Sequence, residues 1–323
     1  MLKCLHICKQ WLVLNYELYL DGRRLLDAIP RPGYRRANYA HHLMSDIIRR
    51  YHVIEKGLSM PEFRPLFGKE VVLSLVRDIK EWKGINTRKE RIAEEQIAVA
   101  YSVLNEYKRR HDELGFDVKG LVDDIAPNNA DLKPIGGIKN YTPANPQDAA
   151  AFTRVVFSRS SVRSFDPQRI PQSASVTDAV ETALRAPSVC NRQTARVHIY
   201  TGEQVKEVLQ YQNGNRGFGH RIPMVLVVTS DLRYFTGVHE RNQAGIDAGM
   251  FSMLLILALH SKGIGTVALN WSVLNKQDQR LRGTADIPEH ERIIMLIGCG
   301  HPEKDTVVTI SRRRSADDTV TFH

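Results

Sequence analysis

A chain of 323 residues that is 42% hydrophobic and 25% charged has the composition of a folded protein with its own buried core, which excludes a fibrous or disordered chain. Lysine and arginine outnumber aspartate and glutamate by 45 to 36, a formal charge of +9, and that excess favours anionic partners such as a phosphorylated cofactor or an acidic substrate. No basic stripe interleaved with aromatic residues accompanies it, so nucleic acid is not an expected partner.

The opening "MLKCLHICKQWLVLNYELYL" is apolar, but Lys9, Gln10, Asn15 and Glu17 interrupt it and no small-residue cleavage site follows. No uninterrupted apolar run reaches the roughly 18–20 residues of a spanning helix. The expectation is an amphipathic helix packed on the rest of the protein, no membrane span and a cytoplasmic location. Four cysteines, at 4, 8, 190 and 299, do not make a disulfide framework in a chain of this length. Cys4, His6 and Cys8 lie close together, yet no second ligand pair follows at zinc-site spacing and His301 stands alone beside Cys299. No metal site is expected, and a reducing compartment is.

Residues 1–125 read as an all-helical N-terminal domain. In "KERIAEEQIAVAYSVLNEYKRRHDELG" the residues Ile97, Ala100, Tyr101, Leu104, Tyr107 and Leu114 recur at helical spacing, with Gly115 at the stop. "GKEVVLSLVRDIKEWKG" repeats the pattern between Gly68 and Gly84. In "HVIEKGLSMPEFRP", Gly57, Pro61 and Pro65 predict a solvated loop. Residues 126–147 carry four prolines, four asparagines and the pair Gly136–Gly137, the make-up of a linker or extended arm. A domain boundary is expected there.

From residue 148 to 323 the pattern becomes mixed. Helices are predicted over "DAAAFTRVVFSR", "SVTDAVETALRA" and the nearly all-apolar "AGIDAGMFSMLLILALHSKG", which should be buried centrally or at a subunit interface. Strands are predicted over "RVHIYTG", "PMVLVVTSD", "GTVALNWS" and "RIIMLIGCGHP". "GIGTVA", Gly263 to Ala268, fits a dinucleotide-binding fingerprint by letter. A long helix precedes it and a strand-like run follows, the reverse of what that fingerprint needs, so it reads as a helix end and turn. "GCGHPE" follows a strand but lacks the third glycine and the helix, and no P-loop, H-E-x-x-H or G-x-S-x-G occurs.

The chemistry-bearing stretch is "RSSVRSF", Arg159 to Phe165. A phosphate-bearing cofactor needs guanidinium groups for charge and bidentate geometry, with hydroxyl and backbone donors to complete the shell. Arg159 and Arg163 bracket Ser160 and Ser161, and "RRR" at Arg312, Arg313 and Arg314 offers more. Each segment alone also fits a solvated basic turn.

"SRSSVRSFD", "APSVCNRQ", "GIDAGMFSMLLILALHSKGIGTVAL", "IPEHERIIMLIGCGHPE" and "SRRRSADDTVTF" stand in the order and spacing of the FMN-dependent nitroreductase family, which residues 149–323 resemble. The resemblance implies an α+β fold, a nitroreductase-like mixed sheet flanked by helices, following the N-terminal all-helical domain. It implies non-covalent FMN, NAD(P)H as a transient reductant, an electron-poor small-molecule acceptor and a homodimer. Arg159, Ser160, Ser161 and Arg163 match the segment that contacts the FMN phosphate, ribityl chain and pyrimidine edge. Pro187, Ser188 and Asn191 match a P-S-x-x-N motif bordering the isoalloxazine from the other subunit. Asn270 and Trp271 match a loop that offers backbone N–H groups near the flavin N5. Asn215 matches a further flavin contact of some members, and one or more of Arg312–Arg314 should meet the phosphate.

Two features depart from the family pattern. Thr194 and Ala195 stand where a Pro-Trp pair usually follows the glutamine, and the N-terminal helical domain lies outside the family pattern. The function implied is hydride transfer from NAD(P)H through flavin to a small molecule. The alternatives are a flavin-binding protein without turnover that acts as an assembly module through its helical domain, and a basic partner-binding protein without flavin.

Overall fold

The computed structural model describes residues 2–30, 38–85, 91–122 and 135–323, with side chains described from Lys9 and, in the third stretch, from Ala93. The parts of the expected linker at 126–134 and the side chains of Cys4, His6 and Cys8 lie outside the described residues.

Helices α1 (Leu2–Ala28), α2 (Tyr39–Leu58), α3 (Lys69–Gly84), α4 (Arg91–Asp112) and the single turn α5 (Lys119–Val122) come first. Helices α2 to α5 share one apolar core, in which Ile47, Tyr51, Ile54, Leu75, Ile79, Leu104 and Tyr107 are fully buried. The expected loop at 52–65 begins only at Ser59, because α2 runs on to Leu58. The spacing Ile47, Tyr51, Ile54, Leu58 buries one face continuously, and that outweighs the single Gly57. Gly57 has its own use: the Phe67 ring occupies the space that a Cβ there would fill. His111, fully buried beneath that ring, accepts from the Leu66 N–H at Nε2 and donates from Nδ1 to the Tyr107 carbonyl, which makes it a satisfied core histidine.

Helix α1 departs from its expectation. Its last turn and the residue beyond, through Leu25, Ala28 and Ile29, pack on Leu232, Phe235 and Ala244. Trp11, Leu12, Val13, Leu14, Leu18 and Tyr19 are exposed. Contiguous apolar residues at 11–14 wrap around a helix rather than forming one stripe, so no single docked face can cover them.

The second half is built on a sheet of β1 (Ala195–Thr201), β2 (Met224–Asp231), β3 (Gly265–Asn270) and β4 (Glu291–Gly300), in the order β1-β2-β4-β3. All three pairings are antiparallel. Among the described residues the parallel component is a single bridge between Ser161 and Thr266 on the outer edge of β3. Helices α6 (Pro146–Ser158), α7 (Ser173–Ala183), α8 (Glu203–Leu209), α9 (Gln243–Ser261) and α10 (Asn275–Ala285) complete it. Strand β2 is buried along its whole length, as its unbroken apolar run requires. Met224, Leu226 and Val228 face α7 and α9, while Val225 and Val227 face α8 and α10. Asn145 caps α6 by accepting from the Asp148 N–H at 2.8 Å.

The stretch Val238–Ser261 is long and apolar enough by composition to cross a membrane, and half of its apolar window is buried within the fold. Leu255, Ala258 and Leu259 pack toward the sheet, and Ile246, Met250 and Met253 form an exposed stripe on the other side. Helix α9 ends through left-handed Gly263 directly into β3, so "GIGTVA" is a turn and the start of a strand.

Gly57→Ala is expected to lower stability by about 1–3 kcal/mol through overpacking against Phe67, despite alanine's higher helix propensity. A denaturant midpoint that is unchanged or raised contradicts this packing.

Candidate functional site

Residues 159–165 leave α6 and run along β3. Val162 N donates to the Thr266 carbonyl at 2.9 Å and Asp166 N to the His301 carbonyl at 2.9 Å. Val162 and Phe165 turn inward and are buried, which leaves Arg163 exposed. Gly265 permits this close approach, since a Cβ there would meet Val162 Cγ2 at 2.9 Å and Pro302 Cγ at 3.0 Å. Arg159 follows α6 directly and lies near His260, whose pKa is held below the usual imidazole value by burial and then by the Arg159 charge. The Arg163 guanidinium sits 5.8 Å from the centroid of the Phe218 ring. Ser160 and Ser161 are half-buried beside them.

The other end of β3 carries Asn270 and Trp271. Gln212, buried, donates from Nε2 to the Asn270 carbonyl at 3.0 Å. Asn215 donates from Nδ2 to the Leu209 and Gln212 carbonyls, at 2.8 Å each, so its amide braces its own turn. Trp271 Nε1 donates to Asp278 Oδ1 at 2.9 Å. One edge of the sheet thus gathers Arg159, Ser160, Ser161, Arg163, Asn215, Asn270 and Trp271.

Pro187, Ser188 and Asn191 belong to a different place, the turn that leads into β1. Cys190, Asn191 and Gln193 have φ of +49°, +53° and +50°, a left-handed conformation that costs non-glycine residues free energy and persists only where neighbours enforce it. Four sets of contacts enforce it. Gln193 N donates to Ser188 Oγ at 3.0 Å, and Val189 N donates to Asp247 Oδ2 of α9 at 3.1 Å. Arg192, 2% exposed, donates from Nη1 to the Tyr234 carbonyl at 2.8 Å and from Nε to the Val189 carbonyl at 3.2 Å. Both of its Nη atoms bond the Glu240 carboxylate. Burial disfavours the Glu240 charge, but Arg192 and the N–H and hydroxyl of Thr236 more than offset it, so its pKa lies below the ordinary glutamate value. Ser45 of α2 donates to the same Tyr234 carbonyl at 2.6 Å, which joins the helical region to the back of this turn.

The sheet keeps these two groups apart within one chain. Ser161 lies outside β3 and the turn precedes β1 at the opposite edge, four strand spacings or roughly 19 Å across. The Thr266 row reaches β1 at Thr201, which sets the arginine–serine segment roughly 20 Å further off lengthwise, whereas the Asn270 row reaches β1 at Val197, near the turn. Arg312, Arg313 and Arg314 lie in an exposed C-terminal stretch, where Arg313 Nη1 donates to the Ser311 carbonyl at 2.6 Å. Among the described residues, Arg159, Arg163 and these three have no carboxylate partner, unlike Arg192, Arg221 and Arg282. No group of three His, Cys, Asp or Glu side chains able to hold a metal is found among the described residues. Cys190 is a half-buried free thiol, and burial pushes the Cys299 thiol up to about 12.

Sequence reasoning passed over Gln212, Asp278, Glu240, Asp247 and Arg192. Arg192 stands inside the quoted "APSVCNRQ", but a charged letter there reads as surface, and nothing in the sequence joins it to Glu240.

The sequence model of the nitroreductase family matches residues 156–213 and 202–301. Over those residues this chain is similar to the nitroreductase family. An NADH dehydrogenase of Thermus thermophilus is 23% identical over 178 residues, which span 46% of this chain and 84% of that protein. A nitroreductase family protein of Streptococcus pneumoniae superposes with a TM-score of 0.47 at 19% identity, over 53% of this chain and 100% of its own. A Desulfovibrio desulfuricans protein solved in complex with FMN gives 0.46 at 18% identity, over 56% of this chain and 98% of its own.

Because the folded pKa of Glu240 is depressed, its contribution to stability is present above the ordinary glutamate pKa and is lost as pH falls through the lower folded value. Glu240→Gln should therefore flatten the acid limb of the stability–pH curve while lowering stability at neutral pH, where it leaves Arg192 buried without its counter-charge. An acid limb identical to that of the unsubstituted chain contradicts the pairing.

Proposed function

We propose that this protein is an FMN-dependent oxidoreductase that accepts a hydride from NADH or NADPH and delivers it to an electron-poor small molecule. One observation carries the reading. A nitroreductase-family domain presents, along one sheet edge, two guanidinium groups without carboxylate partners among the described residues, flanking two serine hydroxyls. That donor set fits the phosphate, ribityl chain and pyrimidine edge of FMN. The Thermus relative, by its name, supports NADH as reductant.

Bound FMN would supply reversible hydride chemistry, and the chain's own residues have three tasks. Arg159, Arg163, Ser160 and Ser161 hold the cofactor by charge-assisted hydrogen bonds, with one or more of Arg312–Arg314 at the phosphate. Backbone N–H groups at Asn270 and Trp271 orient the reactive edge, and Asn215 holds the adjoining turn. Pro187, Ser188 and Asn191 border the ring from a second copy of the chain. The separation of the two groups by the sheet supports this homodimer, as does the exposed Ile246–Met250–Met253 stripe of α9. No acid–base pair is required of the protein when the cofactor carries the reaction. The helical region of residues 1–125, the arm at 126–147 and the flavin domain at 148–323 make one cytoplasmic enzyme.

Flavin released by heat from the purified protein should be FMN, and NAD(P)H should bleach the bound form. Arg163→Ala should weaken FMN binding by about one to two decades, the worth of a charge-assisted hydrogen bond. The stability of the flavin-free chain, read from its denaturant unfolding, should change by less than about 0.5 kcal/mol, since Arg163 is exposed. FAD, absence of flavin, or an unchanged FMN affinity in the variant would overturn the reading.

A further inference from the structure

Helix α10 begins at Asn275, directly after the turn that carries Asn270 and Trp271, and its N-cap is Leu274, whose side chain cannot accept from the first N–H groups of the helix. The missing acceptor comes from α1. Glu17 Oε2 accepts from the Asn275 backbone N–H at 2.7 Å and from its side-chain Nδ2 at 2.8 Å. A carboxylate is also the charge that the positive end of a helix favours. Two turns further along the same face of α1, Arg24 Nη2 reaches Asp278 Oδ2 at 2.8 Å and Asn275 Oδ1 at 3.3 Å. The opposite oxygen of Asp278 is the one that holds Trp271 Nε1, at 2.9 Å. Arg282 Nε completes the carboxylate at 2.6 Å and gives Nη1 to the Pro288 carbonyl at 2.7 Å. Trp271 is thereby connected, through one buried carboxylate, to a helix that lies outside the residues matched to the nitroreductase family.

A buried cluster of charges adds little net stability over apolar packing, because desolvation consumes most of its attraction; what it fixes is geometry. Here it fixes a half-buried indole at a strand end. We propose that α1 is a positioning element for the flavin site: Arg24 acting through Asp278, and Glu17 acting through Asn275, set the orientation of Trp271 and of the turn from Asn270 to Leu274. The proposal deepens the flavin-enzyme reading above and rests on it for its functional part. Arg24 and Glu17 touch neither cofactor nor substrate. Their effect is on the N–H groups that face the reactive edge, so their loss slows hydride transfer more than it weakens FMN binding.

The test uses the full chain labelled with ¹⁵N at its tryptophan indoles, of which there are three, with the Trp271 resonance assigned by Trp271→Phe. Arg24→Met and Glu17→Gln are each expected to shift the Trp271 indole N–H while Trp82 stays in place, and Arg24→Lys should restore part of the shift. In the FMN-loaded forms, bleaching by saturating NADH should slow roughly three- to thirty-fold in Arg24→Met, with FMN affinity held within about three-fold. An unmoved Trp271 resonance in both Arg24→Met and Glu17→Gln overturns the hold of α1 on the indole. A shifted resonance with unchanged bleaching overturns the positioning role. An unsubstituted chain that takes up no FMN overturns the proposed function instead, and the indole shift still decides the contact. Should Arg24→Met fail to fold, Glu17→Gln and Arg24→Lys carry both readouts.

Discussion

The sheet sets the main constraint on this molecule. Its four strands are locked in register from Ala195 to Gly300, and they hold the arginine–serine segment outside β3 while the strained Ser188–Gln193 turn enters β1 at the far edge. Hydrogen-bonded ladders do not slide, since a one-residue slip would exchange the β2 side chains packed on α7 and α9 with those packed on α8 and α10 and unpack both cores. The proposed reading, in which one flavin touches both segments, therefore places that flavin between two chains. The proposed homodimer follows from this geometry more directly than from the apolar character of α9.

Both edges are braced by buried charges rather than by apolar packing alone. At the β1 edge, Arg192 and Glu240 hold three left-handed non-glycine residues, and Tyr234 passes that hold on to α2 through Ser45. At the β3 edge, Asp278 joins Trp271 to Arg24. Tyr234 also lies in the apolar core of the helical region. The helices before residue 123 thus meet the rest of the chain behind the Ser188–Gln193 turn and, through Asp278, behind Trp271.

Much of this was legible in the sequence. The strands announced themselves by β-branched runs, α9 by its apolar length, and the misleading "GIGTVA" by its flanks. Three kinds of feature were not legible. Gly57 signals a loop by identity, and only the Phe67 ring explains why a helix tolerates it. The apolar residues of α1 promised a packed face, but their contiguity around the helix leaves Trp11–Leu14 exposed. The partners of Arg192 and Asn270 are far along the chain, and no local pattern encodes a hydrogen bond across 48 residues, as between Arg192 and Glu240. The candidate flavin ligands stood out because guanidinium and hydroxyl groups crowded one short segment. The residues that orient them are single polar letters in ordinary surroundings.

The central claim is that each flavin site is shared between two chains, and subunit mixing tests it most directly. Dimers assembled from one Arg163→Ala chain and one Asn191→Ala chain contain, if the site is shared, one doubly altered site and one intact site. Such mixed dimers should bind one FMN per dimer with the affinity of the unsubstituted protein and regain half of its activity per dimer. If Arg163 and Asn191 serve a flavin within the same chain, every site carries one lesion and no intact affinity returns. That result, or a folded monomer loaded with flavin, would contradict the account.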